Sequence, residues 1–230
     1  MRTHTMIERR LYNSMHELSA AFADFAASIL RDALMQNNNV SLVVPGGQTP
    51  RDYLPALARQ ALPWERVYIT LSDERWVETQ ADASNERLVR SYLLKDKAEK
   101  AHFIGLKTPH AHPSEALATV HERLCQFPRP FNLTVLGLGE DGHIASLFPG
   151  MPPDQDTPYL CQTAEPPFAP SSRISLTLPV LASSCHIALV VTSIAKRQLL
   201  DRLINNPDLI IPFVQLVQQC QSPITIFETN

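Results

Sequence analysis

Six short runs set what this chain can become: VSLVV (40–44), VYITL (67–71), HFIGL (102–106), NLTVLGL (132–138), HIALVVT (186–192) and ITIF (224–227). They are apolar almost throughout rather than at every second position, which is how a strand reads when both of its faces are covered. Between them lie helix-like segments: YLPALARQAL (53–62), ERLVRSYLL (86–94), SEALATVHERLCQF (114–127) and SIAKRQLLDRLI (193–204). A longer helix precedes them all, since Leu18, Phe22, Phe25, Ile29 and Leu34 recur at helical spacing from Ser14 to about Gln36. This alternation predicts an α/β protein, a three-layer, mostly parallel, doubly wound sheet with helices on both faces. At 230 residues it reads as one domain, 1–230. The proline-rich stretch 151–172 is expected to be an ordered excursion rather than a linker, because strand and helix resume directly after it. Ligands of such sheets sit outside the carboxyl ends of the strands.

Glycine marks two of those ends. The chain has 7 glycines, where average usage would give roughly 16. Six of them fall in VVPGGQTP (43–50) and LGLGEDGHIASLFPG (136–150). The first stretch reads as a strand, a Gly-Gly turn and a helix start, with Thr49 as N-cap and Pro50 as the first helical residue. Backbone N–H groups at such a start favour an anion. A second helix start, at Ser193, puts Lys196 and Arg197 in a first turn, where positive charge opposes the helix dipole. An anion held between that turn and Lys196 would offset the repulsion.

The second stretch contains GLGEDG, which fits the GxGxxG dinucleotide pattern. That fingerprint requires a long helix directly after it. Here Pro149 intervenes, and Glu140 and Asp141 stand where a pyrophosphate would lie, so no nucleotide cofactor is expected. The glycines instead admit a substrate to His143, whose side chain suits acid–base chemistry near neutrality, with Asp141 close enough to orient it. A nucleophile is harder to find. There is no G-x-S-x-G elbow, Ser146 is expected to satisfy the local turn, and Cys185-His186 begins an apolar strand. His110 and His112 read as loop residues, with no metal-ligand spacing around them. In LSDERWVE (71–78), Asp73, Glu74 and Arg75 emerge at a strand end; Arg75 suits a phosphate or carboxylate, and Asp73 can accept hydroxyls or protons. SNERLVR (84–90) and Arg173 add further polar groups.

The formal charge of −3, with no Lys/Arg run, argues against nucleic acid. No apolar run approaches the ~20 residues of a membrane span. The opening MRTHTMIERRL has no apolar core of a secretory leader, and four widely spaced cysteines fit a reducing compartment. A cytoplasmic protein is expected.

VPGGQTP, SDERWV, SNERLVR, LGLGEDGHIASLFPG, RISLTLPVL and VTSIAKRQLL together resemble the cytosolic α/β family of 6-phosphogluconolactonases, in the superfamily of glucosamine-6-phosphate deaminase. The resemblance implies hydrolysis of 6-phosphoglucono-1,5-lactone to 6-phosphogluconate, with no metal or organic cofactor, in a monomer or homodimer. It implies His143 as general base beside Asp141. It assigns phosphate or sugar contacts to Gly46, Gly47, Gln48, Thr49, Arg75 and Lys196, with Asp73, Asn85 and Arg173 as further members. Gln48 departs from the small hydroxyl usual in that loop. Two other readings stay open: a deaminase, whose histidine loop continues FNEP where this chain has SLFP, and a catalytically silent sugar-phosphate sensor.

Overall fold

Every residue of VSLVV and IALVV is buried, and these runs form β2 (Val40–Val44) and β9 (Ile187–Val191) in the computed structural model, which describes residues 6–151, 157–166 and 172–229. They join β1 (Ile7–Leu11), β3 (Val67–Leu71), β5 (His102–Phe103), β6 (Leu133–Gly137) and β10 (Ile224–Glu228). The seven strands are ordered β1-β10-β9-β6-β2-β3-β5, and every neighbouring pair is parallel. The expected α/β architecture is therefore present. Only the first two residues of HFIGL are strand residues; beyond them the Ile104 N–H donates to the Ile69 carbonyl at 3.0 Å and the Thr70 hydroxyl donates to the Ile104 carbonyl at 2.9 Å.

α1 (Met15–Gln36) begins where its sequence says, with the Ser14 hydroxyl accepting the Glu17 N–H at 3.2 Å. It packs on α2 (Pro50–Ala58) and on β2, β6 and β10. Phe22 of α1 lies 4.4 Å from Tyr53 of α2 and 5.6 Å from Phe227 of β10 (ring centroids), so one fully buried aromatic cluster joins helix layer to sheet. The remaining helices are α3 (Asn85–Tyr92), α4 (Pro113–Leu124), α5 (Leu178–Ala182), α6 (Ile194–Ile204) and α7 (Pro212–Gln219). Both α5 and α6 pack against α7.

Two features depart from the sequence reading. A strand, β1, precedes the first helix. IERRL gives little sign of it, because an outer strand with a single neighbour need not be apolar. Its Arg9 donates to both carboxylate oxygens of buried Glu228 at 2.6 and 2.7 Å, and to Asp201 of α6. Arg197 of α6 pairs with the same Glu228 at 3.3 Å. The second departure is a separate antiparallel sheet, β4-β8-β7, made of β4 (Asp73–Arg75), β7 (Cys161–Ala164) and β8 (Arg173–Leu176). It pairs Asp73 with Ser175 and Arg75 with Arg173. The charged run after β3 is thus a strand whose partner arrives much later in the chain. Within the proline-rich stretch, β7 is ordered as expected; residues 152–156 and 167–171 lie outside the described residues.

The strand order contains a switch point. From β2 the chain moves outward through β3 to β5, returns to β6 on the other side of β2, and continues through β9 to β10. The loops leaving the carboxyl ends of β2 and β6 therefore diverge and open a crevice between them. Those loops are the two glycine-rich stretches.

Candidate active site

A cavity of about 510 Å³ occupies that crevice. All eleven residues singled out in the sequence line it: Gly46, Gly47, Gln48, Thr49, Asp73, Arg75, Asn85, Asp141, His143, Arg173 and Lys196. Tyr53, Glu140, Ala145 and Thr192, which the sequence does not single out, line it too.

One wall is the histidine loop. Asp141 Oδ1 accepts the backbone N–H of His143 at 3.0 Å and meets its ring Nδ1 at 2.6 Å. Burial pushes the Asp141 carboxyl up, but the hydrogen bonds from His143 outweigh it and hold the group below the usual carboxylate range. The His143 carbonyl accepts the Gly139 N–H at 2.8 Å, closing the loop over itself. The ring lies directly on Gly139, where a Cβ would stand 2.0 Å from Nδ1; no side chain fits there. Phe148 packs on the ring with centroids 4.6 Å apart. With Nδ1 engaged, Nε2 is the nitrogen left to exchange a proton. No helix follows Gly142; the chain makes turns and an isolated Ile144–Leu147 bridge, so the dinucleotide pattern lacks the element that gives it meaning.

The opposite wall carries cations and bare backbone. Among the described residues, the N–H groups of Gly47, Gln48 and Thr49 have no hydrogen-bond acceptor. The expected N-cap at Thr49 is not made. Its backbone is already helical (φ −55°, ψ −39°) and its hydroxyl turns to that of Thr192, 3.2 Å away at the end of β9. The helix start is thus left without a side-chain cap. Asn85 packs so tightly on Gly46 that a Cβ there would lie 1.7 Å from its Oδ1. Ser193 does cap α6, accepting the Lys196 N–H at 3.3 Å. Of the two cations in that first turn, Arg197 is offset by Glu228, whereas the Lys196 ammonium has no carboxylate partner among the described residues.

Arg75 and Arg173 face each other across β4 and β8, an arrangement that repels. Arg173 is held below its ordinary pKa, first by burial and then by the Arg75 charge. Arg75 donates to the Ala83 carbonyl at 2.6 Å, not to its acidic neighbours. Its buried Nε and the buried Asn85 Oδ1 have no hydrogen-bond partner among the described residues. Buried polar atoms are normally satisfied, so these two are exceptions beside the cavity.

Adjacent acids on β4 point opposite ways, as strand geometry requires. Glu74 turns from the cavity and accepts the N–H groups of Arg75, Asn85 and Glu86 and the Ser84 hydroxyl, each at 2.8–3.1 Å. Its carboxyl fixes the start of α3, and burial pushes its pKa up to about 7 against those hydrogen bonds. Asp73 faces the cavity, yet Oδ1 and Oδ2 accept the hydroxyls of Ser72 (2.9 Å) and Ser146 (2.6 Å). Ser146 therefore does not serve its own turn, as the sequence suggests; it reaches across to β4.

Among the described residues no group of three His, Cys, Asp or Glu side chains is placed to hold a metal ion, and no helix is long and apolar enough to cross a membrane.

Residues 13–225 match the family described as glucosamine-6-phosphate isomerases/6-phosphogluconolactonase. The chain is 40% identical over 181 residues to a 6-phosphogluconolactonase of Pseudomonas aeruginosa, covering 76% of each chain. It is 34% identical over 229 residues to one of Caulobacter vibrioides, covering 96% of this chain and 97% of that one. The crystal structure of a 6-phosphogluconolactonase from Shewanella baltica superposes with a TM-score of 0.92 at 35% identity, with 100% of both chains covered.

Proposed function

The chain belongs to the glucosamine-6-phosphate isomerase/6-phosphogluconolactonase family, and from that premise we propose that it hydrolyses 6-phosphoglucono-1,5-lactone to 6-phosphogluconate, with His143 as general base. One observation carries the reading: the repelling pair Arg75–Arg173 opens into the same cleft as the paired His143 and Asp141. An anionic substrate relieves the first pair while its reactive carbon is offered to the second.

In the proposed reaction His143 Nε2 removes a proton from water as the water oxygen attacks the lactone carbonyl carbon. The carbonyl electron pair moves onto its oxygen and a tetrahedral adduct forms. When the adduct collapses, the ring C–O bond breaks and Nε2 returns its proton to the departing ring oxygen, giving the open hydroxy acid. Asp141, on Nδ1, fixes the tautomer and stabilises the transient imidazolium. General-base assistance of this kind contributes roughly 10²–10⁴-fold. A six-membered lactone is already an activated ester, so no covalent intermediate is needed. The phosphate binds the bare N–H groups after Gly46, with Lys196 and Arg75; holding this remote group positions the carbonyl. Glu140 and Asp141 at the histidine end disfavour the reversed orientation.

SLFP after HIA leaves the histidine loop without the glutamate that ring opening of an amino sugar phosphate uses, which favours the lactonase over the deaminase. The test is a pH-stat assay of purified protein on freshly made 6-phosphogluconolactone, corrected for spontaneous hydrolysis, with unphosphorylated gluconolactone in parallel. Acid release well above background, restricted to the phosphorylated lactone, is expected. Ammonia release from glucosamine 6-phosphate without lactone hydrolysis would overturn the reading.

A further inference from the structure

The contacts that orient His143 within its loop do not place the loop itself. Asp141, Gly139 and Phe148 all belong to the same short stretch, so they fix the ring chiefly relative to its own backbone, with the Phe148 ring also 5.5 Å from the Arg173 guanidinium. At one end the loop meets α7 through a 3.4 Å bond from the Phe213 N–H to the Gly142 carbonyl, and next to His143 the fully buried Ile144 sits in the core. At the other end stands Ser146, fully buried, which docks on the face of the small sheet. Its hydroxyl donates to Asp73 Oδ2 at 2.6 Å, and its N–H reaches the Ser175 hydroxyl at 3.3 Å. Arg173 Nη1 approaches the Ser146 hydroxyl at 3.5 Å. Asp73, Ser175 and Arg173 lie on one face of paired strands, so Ser146 plugs into a prepared socket.

Between base and plug sits Ala145, which lines the cavity with φ at +51°. A residue with a Cβ adopts this left-handed conformation at a cost, and keeps it only where its surroundings impose it. The Ser146 anchor supplies that constraint two bonds away. Asp73 is itself well used: both carboxylate oxygens take protein hydroxyls and its carbonyl takes the Asn85 amide at 2.8 Å.

We propose that Ser146, through Asp73, is a positioning residue: the pair is a strut that sets the height of the histidine loop over the small sheet and so aims His143 at the reacting carbon. Asp73 then serves the base rather than a substrate hydroxyl. Though this rests on the lactonase reading for its kinetic consequence, the placement of His143 can be read without turnover.

The variants are Ser146→Ala, Asp73→Ala, both together, and Asp73→Asn, which keeps an oxygen able to accept the Ser146 hydroxyl. Ser146→Ala is expected to lower kcat roughly 10- to 100-fold, since small misplacements of a catalytic group have that effect. KM should move by no more than about 3-fold, because the groups that hold the phosphate are untouched. The double variant should be no worse than the poorer single one, as for two ends of one strut, and Asp73→Asn should recover most of the loss. In parallel, the His143 imidazole is followed by NMR: its ring resonances should shift in Ser146→Ala. Unaltered kcat and His143 signals with a lowered Tm would reduce the pair to a structural contact, and additive losses would separate the two residues; either overturns the proposal. If Ser146→Ala does not fold, Asp73→Ala and Asp73→Asn carry the same comparison. Were the wild type inactive on the lactone, the lactonase reading would fail, yet unchanged His143 resonances alone would still decide against the strut.

Discussion

The two glycine-rich loops leave adjacent parallel strands and face one cavity, but they are built on opposite plans. The loop after β6 is wired to itself and to the small sheet: carboxylate to ring, backbone to backbone, serine to aspartate. The loop after β2 spends almost nothing on itself. Thr49 meets Thr192, Asn85 lies on Gly46, and a row of N–H groups stays bare. Proton transfer tolerates little error in distance, whereas an anion can be held by several donors of modest precision. Glycine serves both plans for different reasons. At position 139 it lets the His143 ring lie on backbone, and at position 46 it lets a side chain press the loop from behind. The acids of β4 divide the same way, Asp73 supporting the first loop and Glu74, through the start of α3, the second.

If the loops divide chemistry from binding, substitutions should divide likewise. His143→Ala should produce the largest effect, a kcat loss of roughly 10²–10⁴-fold with KM little altered; retained kcat would remove the ring from the reaction. Gly139→Ala comes next. Its Cβ would stand 2.0 Å from Nδ1 and displace the ring, so kcat should drop roughly 10- to 100-fold, and a fully active variant would show that the ring position is not critical. Across the cavity, Lys196→Met should raise KM for the phosphorylated lactone roughly 10-fold, about 1.4 kcal/mol, with kcat little altered. A kcat loss as large as the change in KM would blur the division between the walls.

Glu74→Gln should have the smallest kinetic effect but a distinct pH signature. Because the folded-state pKa of Glu74 is raised from 4.5 to about 7, its contribution to stability is full below about pH 4.5 and is lost as the pH rises through about 7. The Tm of the wild type relative to Glu74→Gln should therefore fall across that window. A difference that stays flat or rises would mean that the N–H groups around Glu74 prevail over its burial.

What was legible in the sequence followed from local physics. β2 and β3 coincide with VSLVV and VYITL because burial on both faces leaves an unbroken apolar run. α1 and α6 begin at their serines because a hydroxyl finds the third N–H whatever else the chain does. The cavity gathers every candidate residue because the loops at carboxyl strand ends must meet at the switch point. Illegible features depend on partners remote in sequence. DER becomes a strand only when β8 arrives beside it, and Ser146 abandons its turn only because Asp73 lies within reach. IERRL has no periodicity to betray a strand, and Thr49 finds a better partner in Thr192 than in its own helix. Short α5 and α7 gain their definition from packing on one another.

The fastening of β1 also reaches toward the cleft. Among the described residues its neighbour in the sheet is β10, and Arg9 meets Glu228, 219 positions away in the sequence. The edge of the sheet is thus closed by a contact between segments remote in sequence. The carboxylate Arg9 grips is the one that also holds Arg197, next door to Lys196. One buried carboxylate therefore fastens the sheet edge and steadies the first turn of α6, beside the cleft-lining Lys196.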